Sequence, residues 1–105
     1  MMGTSIDSKF IETSEAIVSQ FGFKDLKSFV KRQALFMLLA KIEKFEVEDK
    51  FLESKYHMTF EDFCKRIEAV KNKEDFTEEE DYLDWRFTKE ALVRLKNQKL
   101  ELEYA

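Results

Sequence analysis

The residue types that could perform catalysis are few in this chain. His57 is its only histidine and Cys64 its only cysteine, so any Ser–His or Cys–His pair would need His57. His57 lies in a predicted turn and is interpreted as a surface or turn histidine rather than a catalytic base. Cys64 lies on the apolar side of a predicted helix, which favours a small buried side chain over a reactive thiol. The sequence therefore predicts no catalytic residues and no enzyme.

Acidic residues form the most unusual charge pattern in the sequence. Residues 74–84 contain seven acidic side chains and no basic one, although the whole chain has a net charge of only −4. These acids do not follow the alternating ligands and central glycine of an EF-hand loop, and no metal or cofactor is predicted. Two interpretations stay open: the acids stabilise the start of a helix on a solvated face, or they form a docking surface for a basic protein.

Length and composition limit the class of protein. With 105 residues, 44% of them hydrophobic, the chain suits one domain rather than a disordered segment. It has no proline and two glycines, which favours long helices. A single cysteine excludes an intramolecular disulfide and fits a reducing compartment. The longest apolar run, residues 34–40, is too short to span a bilayer, and no secretion signal is visible. We expect a cytoplasmic protein without membrane association.

The apolar spacing predicts an all-α fold of one domain, residues 1–105, with a long central helix. The predicted helices cover residues 6–21, 25–56, 59–72 and 77–103. Gly22 is expected to end the first helix, Asp25 to cap the second, and Thr59 with Asp62 to form a capping box at the third. The apolar pairs in the first segment would also suit short strands, so its helical state is an open alternative.

The second predicted helix carries a heptad pattern, called here the Leu35–Tyr56 heptad. Its members are Leu35, Leu38, Ile42, Phe45, Asp49, Leu52 and Tyr56, and Asp49 either sets the register or faces water. A second apolar stripe, on another face, contains Phe36, Leu39, Val47 and Phe51. A continuous helix over 25–56 would be about 48 Å long, which is too long for a compact monomer of this size. The heptad is either core or a self-association surface, and a homodimer formed through its apolar members is predicted.

Aromatic residues border the acidic start of the fourth predicted helix. Tyr82, Trp85 and Phe87 follow helical spacing, which is typical of a core, but aromatic and charged side chains together are also typical of interface anchors. No basic patch with interleaved aromatics is present. The group Lys27, Lys31 and Arg32 on the second helix is the one candidate surface for DNA.

Three segments together resemble a known class of proteins. They are FGFKDLKSFV at 21–30, KYHMTFEDF at 55–63, and EEDYLDWRF at 79–87 followed by Ala91 and Leu92. In this order they resemble the antitoxin half of small prokaryotic toxin–antitoxin pairs of archaeal or cyanobacterial type. The resemblance covers nearly the whole chain and rests on pattern, because none of the three segments is a catalytic fingerprint.

The resemblance implies a non-enzymatic, dimeric helical protein that neutralises a cognate basic toxin, often a ribonuclease. It also implies DNA binding through an N-terminal ribbon-helix-helix element, although Asp7, Glu12 and Glu15 would then face the DNA. Under this hypothesis the toxin is bound by Glu79, Glu80, Asp81, Tyr82, Asp84, Trp85 and Phe87. The alternative is a structural or adaptor coiled-coil module that only self-associates, and a DNA-binding autoregulator is a third reading.

Overall fold

A computed structural model of the protein describes residues 4–69 and 76–105, with side chains from residue 7 onward in these ranges. Four helices follow one another: α1 (Thr4–Gln20), α2 (Leu26–Tyr56), α3 (Phe60–Ala69) and α4 (Phe76–Glu103). The predicted all-α class is confirmed, because the described residues contain no strand. The predicted last residues of the third helix, 70–72, lie outside the described ranges.

The first segment forms a helix where the sequence also allowed strands. α1 ends in a Schellman motif, in which the amide of Gly22 donates to the carbonyl of Ser19 and the amide of Phe23 donates to that of Val18, both at 3.1 Å. Gly22 has φ +92°, a left-handed conformation that costs glycine little. The prediction that Gly22 ends this helix is confirmed.

The chain divides into two compact units, Met1–Met37 and Leu38–Ala105. In the first unit Val18 is buried, and the rings of Phe23 and Phe29 meet edge to face at 5.1 Å. Asp25 caps α2 as predicted, because its Oδ1 accepts a hydrogen bond from the amide of Ser28 at 2.8 Å. This hydrogen bond, together with one from the Ser28 side chain, lowers the pKa of Asp25 below its ordinary value.

The second unit has two apolar clusters. One joins Ile42 of α2 to Leu92 and Leu95 of α4. The other joins Leu52 of α2 to Phe63 of α3 and Trp85 of α4, so three helices contribute to it. Because large side chains from three elements share this second cluster, it fixes how the first half of α4 is turned relative to α2 and α3.

The joint between α2 and α3 depends on two local features. The Thr59 hydroxyl oxygen accepts a hydrogen bond from the amide of Asp62 at 3.2 Å, which confirms the predicted N-terminal cap of α3. His57 has φ +55° although it is not a glycine. This left-handed residue follows the last residue of α2, so it reverses the chain toward α3 at some cost in strain.

Candidate functional site

The seven residues predicted to bind a partner separate into two groups on α4. Glu79, Glu80, Asp84 and Phe87 are exposed, and 59% of the Phe87 surface reaches solvent. Asp81 and Tyr82 are half-buried, whereas Trp85 has no exposed surface. Four of the seven predicted residues are therefore open to solvent, and the other three pack partly or wholly inside the chain.

Trp85 lies at the centre of the second cluster. Its ring centroid is 5.3 Å from those of Phe60 and Phe63. Its indole Nε1 donates a hydrogen bond to Asp49 Oδ1 at 2.8 Å. Of the two interpretations that the sequence allowed, core and interface anchor, the burial supports the core interpretation for Trp85. A buried indole N–H without an acceptor would be costly, so Asp49 is the polar partner that this position requires.

Asp49, the polar member of the Leu35–Tyr56 heptad, therefore contacts α4 and does not only face water. Besides accepting from Trp85, its Oδ2 lies 3.3 Å from Lys89 Nζ, and its side chain is only 18% exposed. A heptad pattern contains no information on a single polar contact across helices, so the sequence did not reveal this pairing.

Asp81 is also engaged within the chain. Its Oδ2 lies 2.6 Å from Lys55 Nζ and accepts a hydrogen bond from the Tyr56 hydroxyl. Partial burial raises the pKa of Asp81, but the hydrogen bonds from Lys55 and Tyr56 and the lysine charge outweigh it, so the pKa lies below its ordinary value. Tyr82, next to it, stacks on Phe60 with ring centroids 6.1 Å apart. Both residues hold α4 against the rest of the second unit.

The solvent-facing side of the same half of α4 combines apolar and acidic groups. We call it the α4 outer face, and it consists of Phe76, Glu79, Glu80, Leu83, Asp84 and Phe87. Phe76 is 69% exposed and Leu83 is 55% exposed, so three large apolar side chains lie on it with three carboxylates. Phe76 and Leu83 were not predicted as site residues, although Phe76, Glu80, Leu83 and Phe87 follow the 4-3-4 spacing of one helix face.

The residues predicted to form a dimer lie mainly in the chain's own clusters. Ile42 and Leu52 are buried, and Leu38, Phe45 and Tyr56 pack around them against the same two clusters. Leu35, in the first unit, is half-buried. The contacts thus support the core interpretation of the Leu35–Tyr56 heptad within the second unit. A dimer through this face would have to open the packing against α4.

The two residues that the sequence offered for catalysis are His57 and Cys64. His57 is exposed and borders a shallow pocket of about 260 Å³ with Glu53, Ser54, Met58 and Thr59. Burial raises the pKa of the Cys64 thiol, and the charges of Glu68 and Glu61 raise it further, which disfavours the reactive thiolate. Over residues 4–69 and 76–105, no group of three or more potential metal ligands is assembled.

The basic residues considered for DNA are at the start of α2. Lys27 is exposed, Lys31 is half-buried, and the Arg32 guanidinium lies over the Phe36 ring at 5.6 Å. The preceding described segment is helix α1, not the ribbon strand that the resemblance implies.

Within the ranges that the structure describes, no helix is both long and apolar enough to cross a membrane. The chain matches no protein-family model, no curated protein and no solved structure.

Proposed function

We propose that this chain is a non-enzymatic, antitoxin-like cytoplasmic protein that binds and neutralises a cognate basic toxin, of the ribonuclease type, without a cofactor. The observation that carries the proposal is the α4 outer face. Phe76, Leu83 and Phe87 are exposed on a side that also carries Glu79, Glu80 and Asp84. These groups are the proposed direct contacts; the resemblance suggests the class of partner, and their exposure on one side of α4 supports this choice of surface.

The physical support comes from the mixture of side chains. Large apolar groups are costly to leave in water, and grouped on one face they are typical of a binding surface. The attraction between the neighbouring carboxylates and basic groups of a partner becomes stronger when the contact excludes water. At moderate salt these carboxylates attract a basic surface over a distance of about 10 Å. Glu79, Glu80 and Asp84 form none of the salt bridges found among the described residues.

The buried members of the predicted site would act indirectly. Trp85 anchors α4 through Asp49, and Asp81 ties it to Lys55 and Tyr56. With α4 held in this way, Leu83 is 55% exposed, and Phe87 keeps 59% of its surface exposed although its ring meets the Phe45 ring edge to face at 6.0 Å. In the proposed function Asp81, Tyr82 and Trp85 therefore position the surface, and the exposed residues touch the partner.

The test is a pull-down of tagged full-length chain from the native host at low and high salt, with bound proteins identified by mass. We expect one small basic protein, released by salt, that is toxic when expressed alone and harmless when co-expressed with this chain. Recovery of the chain alone, as a stable oligomer, would contradict the proposal.

A paired set of variants then locates the surface on the isolated complex. Leu83→Ala with Asp84→Lys should weaken toxin binding by at least about tenfold, because one apolar anchor is lost and one charge is reversed. Val93→Ala with Glu101→Lys is the matched control, since both residues are exposed elsewhere on α4. Trp85→Ala is unsuitable, because it would open the core. Equal losses for the two double variants would remove the α4 outer face from the mechanism.

A second candidate function is a structural or adaptor module that only self-associates. It is favoured by Val47 and Phe51, which are 62% and 64% exposed on α2. In either function we propose a homodimer. The two candidates differ in whether a basic partner is recovered from the host.

A further inference from the structure

The solvent side of α2 in the second unit carries another heptad pattern. Its members, called here the outer heptad, are Ala40, Lys44, Val47, Phe51 and Ser54, with spacings of 4, 3, 4 and 3 residues. All five are exposed, whereas Ile42 and Leu52 on the other side of the helix are buried. α2 therefore has a second face with coiled-coil spacing, and the chain itself leaves that face to solvent.

Charged residues flank the outer heptad in a regular order. Glu43 and Lys50 lie along one flank, and Lys41 and Glu48 lie along the other. All four are exposed, and the two residues named on each flank have opposite charges and lie seven positions apart. The salt bridges that join α2 to α4 use Glu46, Asp49 and Lys55 instead. Those four flanking charges are thus in the positions that select partner and orientation in a coiled coil.

We propose that a second copy of this chain packs antiparallel against the outer heptad. In an antiparallel pair, each flank faces the same flank of the other helix. Glu43 then meets Lys50 of the partner subunit, and Lys41 meets Glu48 of the partner subunit. Twofold symmetry repeats both contacts, which makes four pairs of opposite charge around one interface.

The parallel arrangement of the same helices is opposed by the same charges. In a parallel pair the two different flanks meet, which places Glu43 against Glu48 of the partner subunit. Symmetry makes this like-charge contact occur twice, and the four flanking residues form no pair of opposite charge in this arrangement. The flanking charges therefore favour one orientation and disfavour the other, as in natural coiled coils that specify their pairing.

The antiparallel register also matches side-chain sizes. It places Ala40 beside the large Phe51 of the partner subunit, and Lys44 beside Val47 of the partner subunit. The alkyl stem of Lys44 can cover apolar surface while its ammonium group reaches water. A polar residue at this position costs some stability and fixes the register. This dimer does not depend on the proposed toxin, because it uses α2 and not the α4 outer face.

The test measures the dimer dissociation constant of the full chain by sedimentation equilibrium. Glu43→Lys turns two attractive contacts of the antiparallel dimer into repulsive ones, so we expect about tenfold weaker dimerisation or more. Glu43→Lys with Lys50→Glu restores opposite charges and should return the constant to within a few-fold of the wild-type value. Glu101→Lys is the control, because it makes the same charge reversal at an exposed position on α4; it should leave the dissociation constant unchanged.

Three other results would each overturn the inference. A monomeric wild-type chain would leave no dimer to explain. Stronger dimerisation of Glu43→Lys would indicate the parallel arrangement, where the new lysine faces Glu48 of the partner subunit. If Glu43→Lys with Lys50→Glu does not return the dissociation constant toward the wild-type value, residues 43 and 50 do not meet in the dimer. Retention of toxin binding by Glu43→Lys would separate this inference from the proposed function.

Discussion

The hydrogen bond between Trp85 and Asp49 gives the most direct test of the core of the second unit. The perturbation is a double-mutant cycle with Trp85→Phe, Asp49→Ala and the two changes combined. The bond is 2.8 Å long, its donor belongs to a side chain with no exposed surface, and its acceptor is a carboxylate with an 18% exposed side chain. A hydrogen bond to a charged group contributes about 1.5–3 kcal/mol, and water access to Asp49 places this one near the lower limit.

The separate losses follow from what each change removes. Trp85→Phe loses the bond and about 1–2 kcal/mol of packing in a buried position, so the free energy of unfolding should fall by about 3 kcal/mol. Asp49→Ala leaves the indole N–H without its acceptor and should cost about 2 kcal/mol. The combined variant should lose only about 3.5 kcal/mol, because the shared bond is counted once. The coupling free energy is then about 1.5 kcal/mol.

The assay is urea unfolding followed by circular dichroism, since Trp85→Phe removes the fluorescent probe. Asp49→Asn is the control, because its amide oxygen can still accept from the indole; it should cost no more than about 1 kcal/mol. A coupling free energy below about 0.5 kcal/mol would refute the reasoning, since the two side chains would then stabilise the fold independently.

Three further predictions concern local geometry and charge. His57→Gly should raise the free energy of unfolding by about 0.5–1 kcal/mol in urea denaturation, because glycine adopts φ +55° without strain; no gain would contradict the strain at this residue. Gly22→Ala should lower it by about 1 kcal/mol, because alanine at φ +92° is strained, and an unchanged value would count against the Schellman turn. The pKa of Asp81 is lower in the folded state than its ordinary value of 3.8, so its stabilising effect is present above that pH and lost as pH falls through the folded pKa. Asp81→Asn should therefore make stability less dependent on pH below about 4 in denaturation at several pH values, and parallel pH profiles for variant and wild type would contradict this.

Helix ends and fold class could be predicted because their causes are local. Gly22, Asp25 and Thr59 act on amides and carbonyls within a few residues of themselves, and each is found in its predicted role. The all-α class follows from apolar spacing and from a chain without proline. Such signals need no knowledge of what packs against the helix.

The surface was harder to predict, because periodicity does not identify the partner of an apolar face. The Leu35–Tyr56 heptad suggested a dimer, but in the second unit its members pack against α3 and α4 of the same chain. Trp85 and Phe87 are two residues apart, so they point to different sides of α4, and only the packing shows which side is inward. His57 could not be predicted as left-handed, because glycine is the usual residue at such a position.

The burial of Trp85 has a consequence for spectroscopy. It is the only tryptophan of the chain and belongs to the second unit, Leu38–Ala105. Its emission should be shifted to short wavelength in the folded state and respond when that unit opens. The first unit has no tryptophan and contributes to circular dichroism through α1, so it can melt without changing that emission. Recording both signals along one melting curve would separate the stabilities of the two units in a single sample.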